Sequence, residues 1–140
     1  MAFPDFQAYN AIVYSLADRH PKISHCTLVL ALIGATLAKL EGQITWPGEV
    51  VLDVWELVDF QAGRILKYSY EVYKQGEKVV WYDPFEHPQE PSLATSFPHH
   101  KHVPPDINHH RVPATGISFE QPNLPFLIEE IEREVLSSMA

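Results

Sequence analysis

Five histidines fall within seventeen residues in the segment Thr95–Arg111. This histidine segment also contains three prolines, which argue against a continuous helix because proline lacks the amide hydrogen that a helix interior needs. Imidazole is the side chain best suited to move protons near neutral pH, and it is also a common metal ligand. The segment therefore suggests four roles: a metal site, a proton-transfer site, a phosphate-binding surface, or a structural clasp without chemistry.

A metal site would draw its ligands from His99, His100 and His102, joined by side chains such as Asp83 or His87. The HExxH and paired CxxC spacings, which are more specific signals for metal ligands, do not occur in the sequence. In an extended chain, His100 and His102 point to one side and His99 to the other, so the three cannot bind one ion without a turn. We therefore predict no resident metal or other cofactor, although clustered histidine leaves metal binding open.

Proton transfer is the second role that the spacing suits. Two imidazoles that flank a cation, as in His100-Lys101-His102, fit cleavage of RNA through attack of the ribose 2′-hydroxyl on the neighbouring phosphate. One imidazole would take the hydroxyl proton, the other would protonate the leaving 5′-oxygen, and a cation would stabilise the charge on the phosphate. The side chains available to contact that phosphate are Lys101, Arg111, Tyr70 and Tyr82.

A purely structural role explains the same histidines without any reaction. Neutral imidazoles can hydrogen-bond the backbone carbonyls that a long packed segment leaves without partners. Prolines stiffen the segment and lower the entropy of its unfolded state. The second pair, His109 and His110, fits this role as well as any catalytic one. The residues by themselves leave the structural, metal and proton-transfer roles open.

The composition is that of an acidic protein, with 140 residues and a formal net charge of −8. This charge argues against binding nucleic acid through overall basicity, so any contact with RNA must use a local site. The length and apolar content predict one domain spanning residues 1–140. The chain starts without the pattern of a signal peptide, and its most apolar run, residues 27–38, is too short to span a bilayer. We therefore expect a soluble, cytoplasmic protein without a membrane partner.

The part that precedes the histidine segment, residues 1–83, reads as a helix followed by a sheet. A helix is predicted over Asp5–Arg19, where apolar residues recur every three or four positions. Residues 23–44 are compatible with helix or strand, and we favour strand because they lead directly into a clear sheet. From Val50 onwards both alternating sides are apolar, which predicts a central strand covered on both faces.

Two antiparallel strands should follow this central one. In residues 65–72, the alternation places Leu66 on a buried face with Tyr68, Tyr70 and Val72, and Ile65 on a mostly exposed face. The segment Lys74–Glu77 contains a glycine and predicts a hairpin turn, with the return strand over residues 78–82.

The rest of the chain divides into a loop and a last helix. Residues 84–125 are rich in proline and histidine but keep enough apolar side chains to be an ordered loop. The C-terminal part, residues 126–140, has a helical pattern that begins at Leu124, with Asn123 as its cap and its glutamates facing solvent. These elements predict an α+β fold, in which an antiparallel β-sheet meander is flanked by an N-terminal and a C-terminal helix, with a long Pro/His-rich ordered loop.

Several rare clusters occur in a fixed order between residues 44 and 103. They are Tyr68 and Tyr70 in one strand, then Trp81-Tyr82-Asp83, His87-Pro88 and Pro98-His99-His100-Lys101-His102. In this order, and with a hairpin between the first two, the clusters resemble the TumE-type family of small bacterial and archaeal toxins from toxin–antitoxin pairs.

The resemblance implies a metal-independent ribonuclease that blocks translation and is held in check by a small antitoxin protein. The proton-transfer residues that it implies are His99, His100 and His102, with Asp83 orienting an imidazole. The residues that it implies for RNA phosphate are Lys101, Arg111, Tyr82, Tyr70 and His87. RNA, an antitoxin and a second copy of the chain in a homodimer are thus the partners to consider. The competing hypotheses are a non-catalytic interaction protein that shares the fold and a His-rich metal-binding protein.

Overall fold

The structure is a computed structural model that describes residues 3–86 and 89–136. Within these residues an eight-stranded antiparallel sheet is flanked by helices from the two ends of the chain, which confirms the predicted α+β meander. The helices are α1 Phe6–Tyr14, α2 Leu16–Arg19 and α3 Leu124–Glu134, and a 3-10 helix spans Pro91–Ser96. The strands are β1 His25–Cys26, β2 Val29–Leu32, β3 Leu37–Trp46, β4 Val50–Asp59, β5 Arg64–Lys74, β6 Glu77–Asp83, β7 His100–His102 and β8 Arg111–Pro113.

The strands lie in the sheet in the order β1-β3-β4-β5-β6-β7-β8, and β2 pairs with β3 beside β1. From β3 to β8 each strand is hydrogen-bonded to the next one along the chain, and every pair is antiparallel. Short connections favour this arrangement because an antiparallel neighbour needs only a tight turn. Within the described residues, no helix is long and apolar enough to cross a membrane.

The two faces of the sheet differ in what covers them. The inner face lies against α1 and α3, and its side chains, such as Leu52 and Val72, are fully buried. The outer face carries the alternate side chains, and Trp55 and Glu71 there are only half-buried. In β4, buried residues alternate strictly with half-buried ones. The prediction that β4 is covered on both faces is therefore wrong, because the helices pack on one face alone.

The segment that was compatible with helix or strand forms β1, β2 and most of β3. Gly42 lies inside β3 with a φ of 145°. A Cβ atom at this position would lie 2.6 Å from the carbonyl oxygen of Thr27, so glycine allows the chain before β2 to approach the strand closely.

A β-bulge in β5 corrects the predicted alternation of that strand. The pairing with β4 passes from Leu57↔Lys67 to Val58↔Ile65, which leaves Leu66 as an extra residue. Ile65 is consequently fully buried, while Leu66 is 37% exposed. Uninterrupted alternation predicted the reverse. The bulge inserts one residue, and this exchanges the faces of the residues that precede it.

The hairpin between β5 and β6 is confirmed. Gln75 and Gly76 form the two-residue loop, with φ values of 53° and 82°. Positive φ at both positions is the requirement of the tight turn that matches the twist of antiparallel strands. Strand β6 ends at Asp83, immediately before Pro84, which has no amide hydrogen to continue the pairing.

The predicted Pro/His-rich loop contains more regular structure than its composition indicates. Strand β7 occupies the middle of the histidine segment and pairs with β6 on one side and β8 on the other. Pro98 and Pro104 lie outside β7, so the three residues of the strand all keep their amide hydrogens. The histidine segment is therefore partly a sheet strand, and only its flanks are loop.

The helices start and stop close to the predicted positions. Asp5 caps α1, since its carboxylate accepts a hydrogen bond of 2.8 Å from the amide of Ala8. Asn123 does not cap α3 with its side chain, which instead donates to the hydroxyl of Tyr70 at 3.1 Å. Glu130, predicted to face solvent, is buried against the inner face of the sheet.

Candidate active site

Strands β6, β7 and β8 bring one group of chemically reactive side chains together on the outer face. Asp83 lies opposite His100 in the β6–β7 register, and His102 lies opposite Arg111 in the β7–β8 register. Side chains that are directly opposite in antiparallel strands share a face, and residues two apart in one strand do as well. We call Asp83, His100, His102 and Arg111 the outer-face cluster.

The two imidazoles of the cluster meet edge to edge beside a carboxylate. Nε2 of His100 lies 3.2 Å from Nε2 of His102. The carboxylate oxygens of Asp83 lie 3.7 Å from the first nitrogen and 3.5 Å from the second. His100 and His102 are only 1% and 3% exposed. Three side chains that can act as acid, base or ligand therefore converge on one buried point.

The outer nitrogen atoms of the rings face backbone. Nδ1 of His100 lies 3.4 Å from the carbonyl oxygen of Pro98, which can only accept a hydrogen bond. This contact favours the tautomer with hydrogen on Nδ1 and a lone pair on Nε2. Nδ1 of His102 faces the backbone of Ile107, yet it makes no hydrogen bond of normal geometry within the described residues. Two lone pairs would repel each other at 3.2 Å, so a proton or a cation between the rings stabilises this arrangement.

An aromatic ring covers one side of the His102 imidazole. The ring of Trp81 stacks on the imidazole with centroids 4.3 Å apart. Burial lowers the pKa of His102, and the Asp83 carboxylate partly offsets that effect by raising the pKa. Desolvation and a close anion thus act in opposite directions on the same ring.

Arg111 adds a positive charge to this edge of the sheet. Its side chain is half-buried, and its Nε atom is buried without a hydrogen-bond partner within the described residues. A buried guanidinium donor that lacks a partner is uncommon, since most such groups are satisfied. Arg111 is therefore suited to bind an anion beside His102.

A shallow cleft of about 320 Å³ adjoins the cluster on the outer face. Asp83 lies at its edge, and Phe85, which is 68% exposed, forms part of its rim. The remaining lining residues are Trp55, Lys67, Tyr68, Ser69, Trp81 and Pro84. Aromatic and polar side chains around a cleft of this kind suit a base stacked next to a phosphate.

His99 does not belong to the outer-face cluster. Its Nδ1 lies 2.6 Å from the hydroxyl oxygen of Tyr68, and its ring packs against Phe119. Burial lowers the pKa of this histidine. The opposite orientation of His99 relative to His100 and His102, which the alternation predicts, is confirmed by the structure.

Two of the predicted phosphate-binding residues, Lys101 and Tyr82, lie on the inner face instead. Lys101 is paired with Glu130 at 3.0 Å and with Glu134 at 3.7 Å. The hydroxyl of Tyr82 donates a hydrogen bond to Glu130 as well. Both side chains are thus held by α3 on the opposite side of the sheet from His100, which corrects their predicted place beside the histidines.

Tyr70 belongs to a second inner-face network, whose centre is Glu56. The hydroxyls of Tyr9 and Tyr70 both donate to the Glu56 carboxylate, which is fully buried. Burial raises the pKa of Glu56, and the two tyrosine hydrogen bonds partly lower it. Sequence reasoning missed Glu56, although a glutamate at an inward position of the apolar strand β4 was a signal for such a network. Tyr70 was predicted to orient phosphate, but the structure places it within this network.

The remaining histidines of the segment lie on a surface turn. His109 is paired with Asp106 at 3.0 Å, and Nδ1 of His110 lies 2.8 Å from the carbonyl oxygen of Pro104. These contacts agree with a structural role for the second histidine pair. His87, another predicted phosphate contact, lies outside the described residues.

Comparison with models of protein families gives a match that covers most of the chain. A family model described as toxin TumE matches residues 15–135. The matched range contains all eight strands, α2 and α3, and it includes the whole outer-face cluster. Searches among curated proteins and among solved structures found no match.

Proposed function

The chain belongs to the toxin TumE family, and from this premise we propose that it is the toxin of a toxin–antitoxin pair and acts by cleaving RNA. Membership of a toxin family suggests an antitoxin partner as well. The cleavage of RNA and its mechanism are supported by the chemistry of the outer-face cluster.

The observation that carries the proposal is the 3.2 Å contact between Nε2 of His100 and Nε2 of His102, beside the Asp83 carboxylate. A proton shared between these nitrogen atoms leaves one imidazole able to donate and the other able to accept. Asp83 stabilises the positive charge that the pair then carries. The pair can accept one proton and return another without a net change, as cleavage of RNA by its own 2′-hydroxyl requires.

In the proposed reaction, the histidine pair accepts the proton of a ribose 2′-hydroxyl while the 2′-oxygen forms a bond to phosphorus. The bond from phosphorus to the 5′-oxygen breaks, and the leaving oxygen receives a proton from the pair, directly or through water in the cleft. The products are a 2′,3′-cyclic phosphate and a free 5′-hydroxyl. The balance of atoms and charge needs no metal or other cofactor.

The geometry changes the separate acid and base roles that the sequence suggested for the two histidines. A phosphate does not fit between nitrogen atoms 3.2 Å apart, so His100 and His102 cannot act from opposite sides of it. We propose that they act from one side as a unit. Arg111, opposite His102, would bind the phosphate and stabilise the charge that develops in the transition state.

Access to the imidazoles imposes a condition on this mechanism, because both are almost fully buried. Asp83 and Arg111 are the more accessible members of the cluster. The segment 103–110 borders His102 through Ile107, and the amide of Val103 closes it by donating to the carbonyl of His110. We propose that RNA docks on Arg111 first and that this segment moves to admit the phosphate.

The test uses the purified full chain and RNA in a buffer containing a chelator. The cleaved position is mapped first, and a second RNA is then made with a 2′-deoxyribose at that position. We expect cleavage of the first RNA with 2′,3′-cyclic phosphate ends and no cleavage at the substituted position. Products with 3′-hydroxyl and 5′-phosphate ends would contradict the mechanism, since they arise from attack by water.

The toxin role itself is tested in cells by regulated expression of the chain. We expect growth arrest that is relieved when a small protein encoded beside it is expressed as well. An unaffected growth rate together with no cleavage of RNA by the pure protein would falsify the proposed function. That result would favour a non-catalytic protein with the same fold.

A further inference from the structure

We infer that Asp83, His100 and His102 form a binding site for a divalent transition-metal ion of the zinc class, and that an ion bound there switches off proton transfer by the histidine pair. Nε2 of each histidine and a carboxylate oxygen all lie within 4.8 Å of one another. A search of the described residues for three or more histidine, cysteine or acidic side chains with donor atoms this close together finds this group.

The separations of the donor atoms are within about 0.1 Å of those around a tetrahedral ion. Zinc lies about 2.0–2.2 Å from nitrogen and carboxylate ligands, so two ligands of a tetrahedral site lie about 3.3–3.6 Å apart. The two imidazole nitrogens lie 3.2 Å apart, and the Asp83 carboxylate approaches them with one oxygen each, Oδ1 at 3.7 Å from His100 and Oδ2 at 3.5 Å from His102. The two nitrogen-to-oxygen separations exceed the roughly 2.7–3.2 Å of a good hydrogen bond. A central cation therefore accounts for the approach of all three side chains, whereas a shared proton accounts only for the nitrogen–nitrogen contact.

The environment behind the ligands also fits a metal site. A ligating histidine usually donates its other ring N–H to a carbonyl or carboxylate, which fixes the tautomer and directs a lone pair at the ion. Nδ1 of His100 points at a backbone carbonyl oxygen, that of Pro98, although the 3.4 Å separation is longer than a good hydrogen bond. Trp81 stacks on His102 and holds the plane of that ring.

The donor set indicates which ion fits. Two imidazole nitrogens and one carboxylate suit zinc and its transition-metal neighbours, whereas magnesium and calcium prefer oxygen ligands. Three protein ligands leave a fourth position of a tetrahedral ion open. Arg111 opposes the ion electrostatically, because it lies beside His102 and carries a positive charge. A substitution that removes this charge should therefore strengthen metal binding.

The functional consequence rests on the proposed ribonuclease activity, but the site itself does not. A metal bound at Nε2 of both His100 and His102 uses the lone pairs that would accept the 2′-hydroxyl proton. No proton can then be shared between the rings. Zinc would thus inhibit cleavage reversibly, and removal of the ion would restore it.

Binding is measured by titrating zinc chloride into the metal-free full chain in a calorimeter, with cobalt absorption as a spectroscopic check of the ligand set. We expect one equivalent to bind. His102→Gln and Asp83→Asn should each weaken binding by more than about 10-fold, since loss even of residues that only support ligands costs 10–100-fold. The matched control is His109→Gln, a histidine of the same segment that is 76% exposed and lies in the surface turn. Thermal unfolding of each variant shows whether it is folded.

Arg111→Gln separates this inference from the proposed function. It should reduce RNA cleavage while zinc binds at least as tightly as to the wild type. Failure to bind zinc, or equal binding by wild type and His102→Gln, overturns the metal site and leaves metal-independent cleavage standing. Binding without any cleavage activity supports the site and refutes the ribonuclease. Zinc that increases cleavage overturns the inhibitory role.

Discussion

The inner and outer faces of the sheet both bury polar side chains, but they satisfy them differently. On the inner face, the Glu56 carboxylate accepts from two tyrosines, and Glu130 is paired with Tyr82 and Lys101. On the outer face, Nδ1 of His102 and Nε of Arg111 are buried without hydrogen-bond partners within the described residues. A carboxylate and two imidazoles meet there at separations too long for good hydrogen bonds to the carboxylate.

The difference indicates which polar groups hold the fold together and which are available to a ligand. A buried polar group without a partner destabilises the fold by about 1–3 kcal/mol. Such a group is therefore expected to be kept where it has a function, such as binding a ligand. The inner networks link α1 and α3 to the sheet and leave little for a substrate to bind. The outer-face cluster retains the donors and acceptors that a phosphate or a metal would use.

Of the substitutions that test this difference between the faces, His102→Gln should have the largest effect, on the rate of RNA cleavage. This change removes proton transfer on the outer face and should lower the rate of RNA cleavage by about 10²–10⁴-fold, the usual contribution of a general acid or base. The matched His109→Gln should cleave like the wild type. The rates are measured with a fluorescent RNA under single-turnover conditions. Equal rates for the two variants would remove the outer-face cluster from the reaction.

The next effect compares the two cations of the histidine segment, one on each face. Arg111→Gln should reduce cleavage by on the order of 10²-fold, because it removes a donor that stabilises charge in the transition state. Lys101→Gln should leave cleavage near the wild-type rate, since Lys101 is held by Glu130 and Glu134. Steady-state kinetics of both variants on one RNA make the measurement. A larger loss in Lys101→Gln would mean that the inner face contacts substrate.

The third effect is on stability and is confined to the inner face. Tyr70→Phe removes a hydroxyl that donates to Glu56 and accepts from Asn123, so it should lower the free energy of unfolding by about 1–3 kcal/mol. Tyr73→Phe, at a half-buried position in the same strand, should change it by less than about 0.5 kcal/mol. Chemical denaturation gives both values. Cleavage of RNA by the folded Tyr70→Phe protein should be unchanged.

The fourth effect is a dependence of stability on pH. Burial raises the pKa of Glu56 above its ordinary value of 4.5, so the unfolded chain releases this proton at lower pH than the folded chain. The protonated carboxyl therefore contributes its full stabilisation below pH 4.5. This contribution decreases as the pH rises toward and through the pKa of Glu56 in the folded chain. Between the pKa of Glu56 in the unfolded chain and its pKa in the folded chain, the free energy of unfolding of the wild type should fall by about 1.4 kcal/mol for each pH unit, relative to that of Glu56→Gln. Denaturation curves of both proteins from pH 4 to pH 8 test this, and a constant difference would contradict it.

Much of the fold follows from local pattern. The hairpin at Gln75–Gly76 and the opposite orientations of His99 and His100 depend on neighbouring residues only, and both are confirmed. The exchange of Ile65 and Leu66 was not predictable, because a bulge is set by pairing between strands and leaves no sign in strict alternation.

The site was harder to predict than the fold. Residue types identified the histidine segment, but the register of β7 between β6 and β8 decides which side chains meet. Nothing in the local sequence fixes which of its neighbours in space His100 will face, since sixteen residues separate it from Asp83. The placement of Lys101 beside the imidazoles was a different error, because alternation alone places it on the other face.

The three-residue length of β7 has a consequence for how related sequences can vary. The connections before and after this strand can be lengthened without altering which side chains meet, because pairing and not loop length sets the register. A single insertion between His100 and His102 would instead turn one imidazole toward the helices and separate the two rings. Across relatives, we therefore expect the one-residue gap between the paired histidines to be kept even where the flanking loops differ in length.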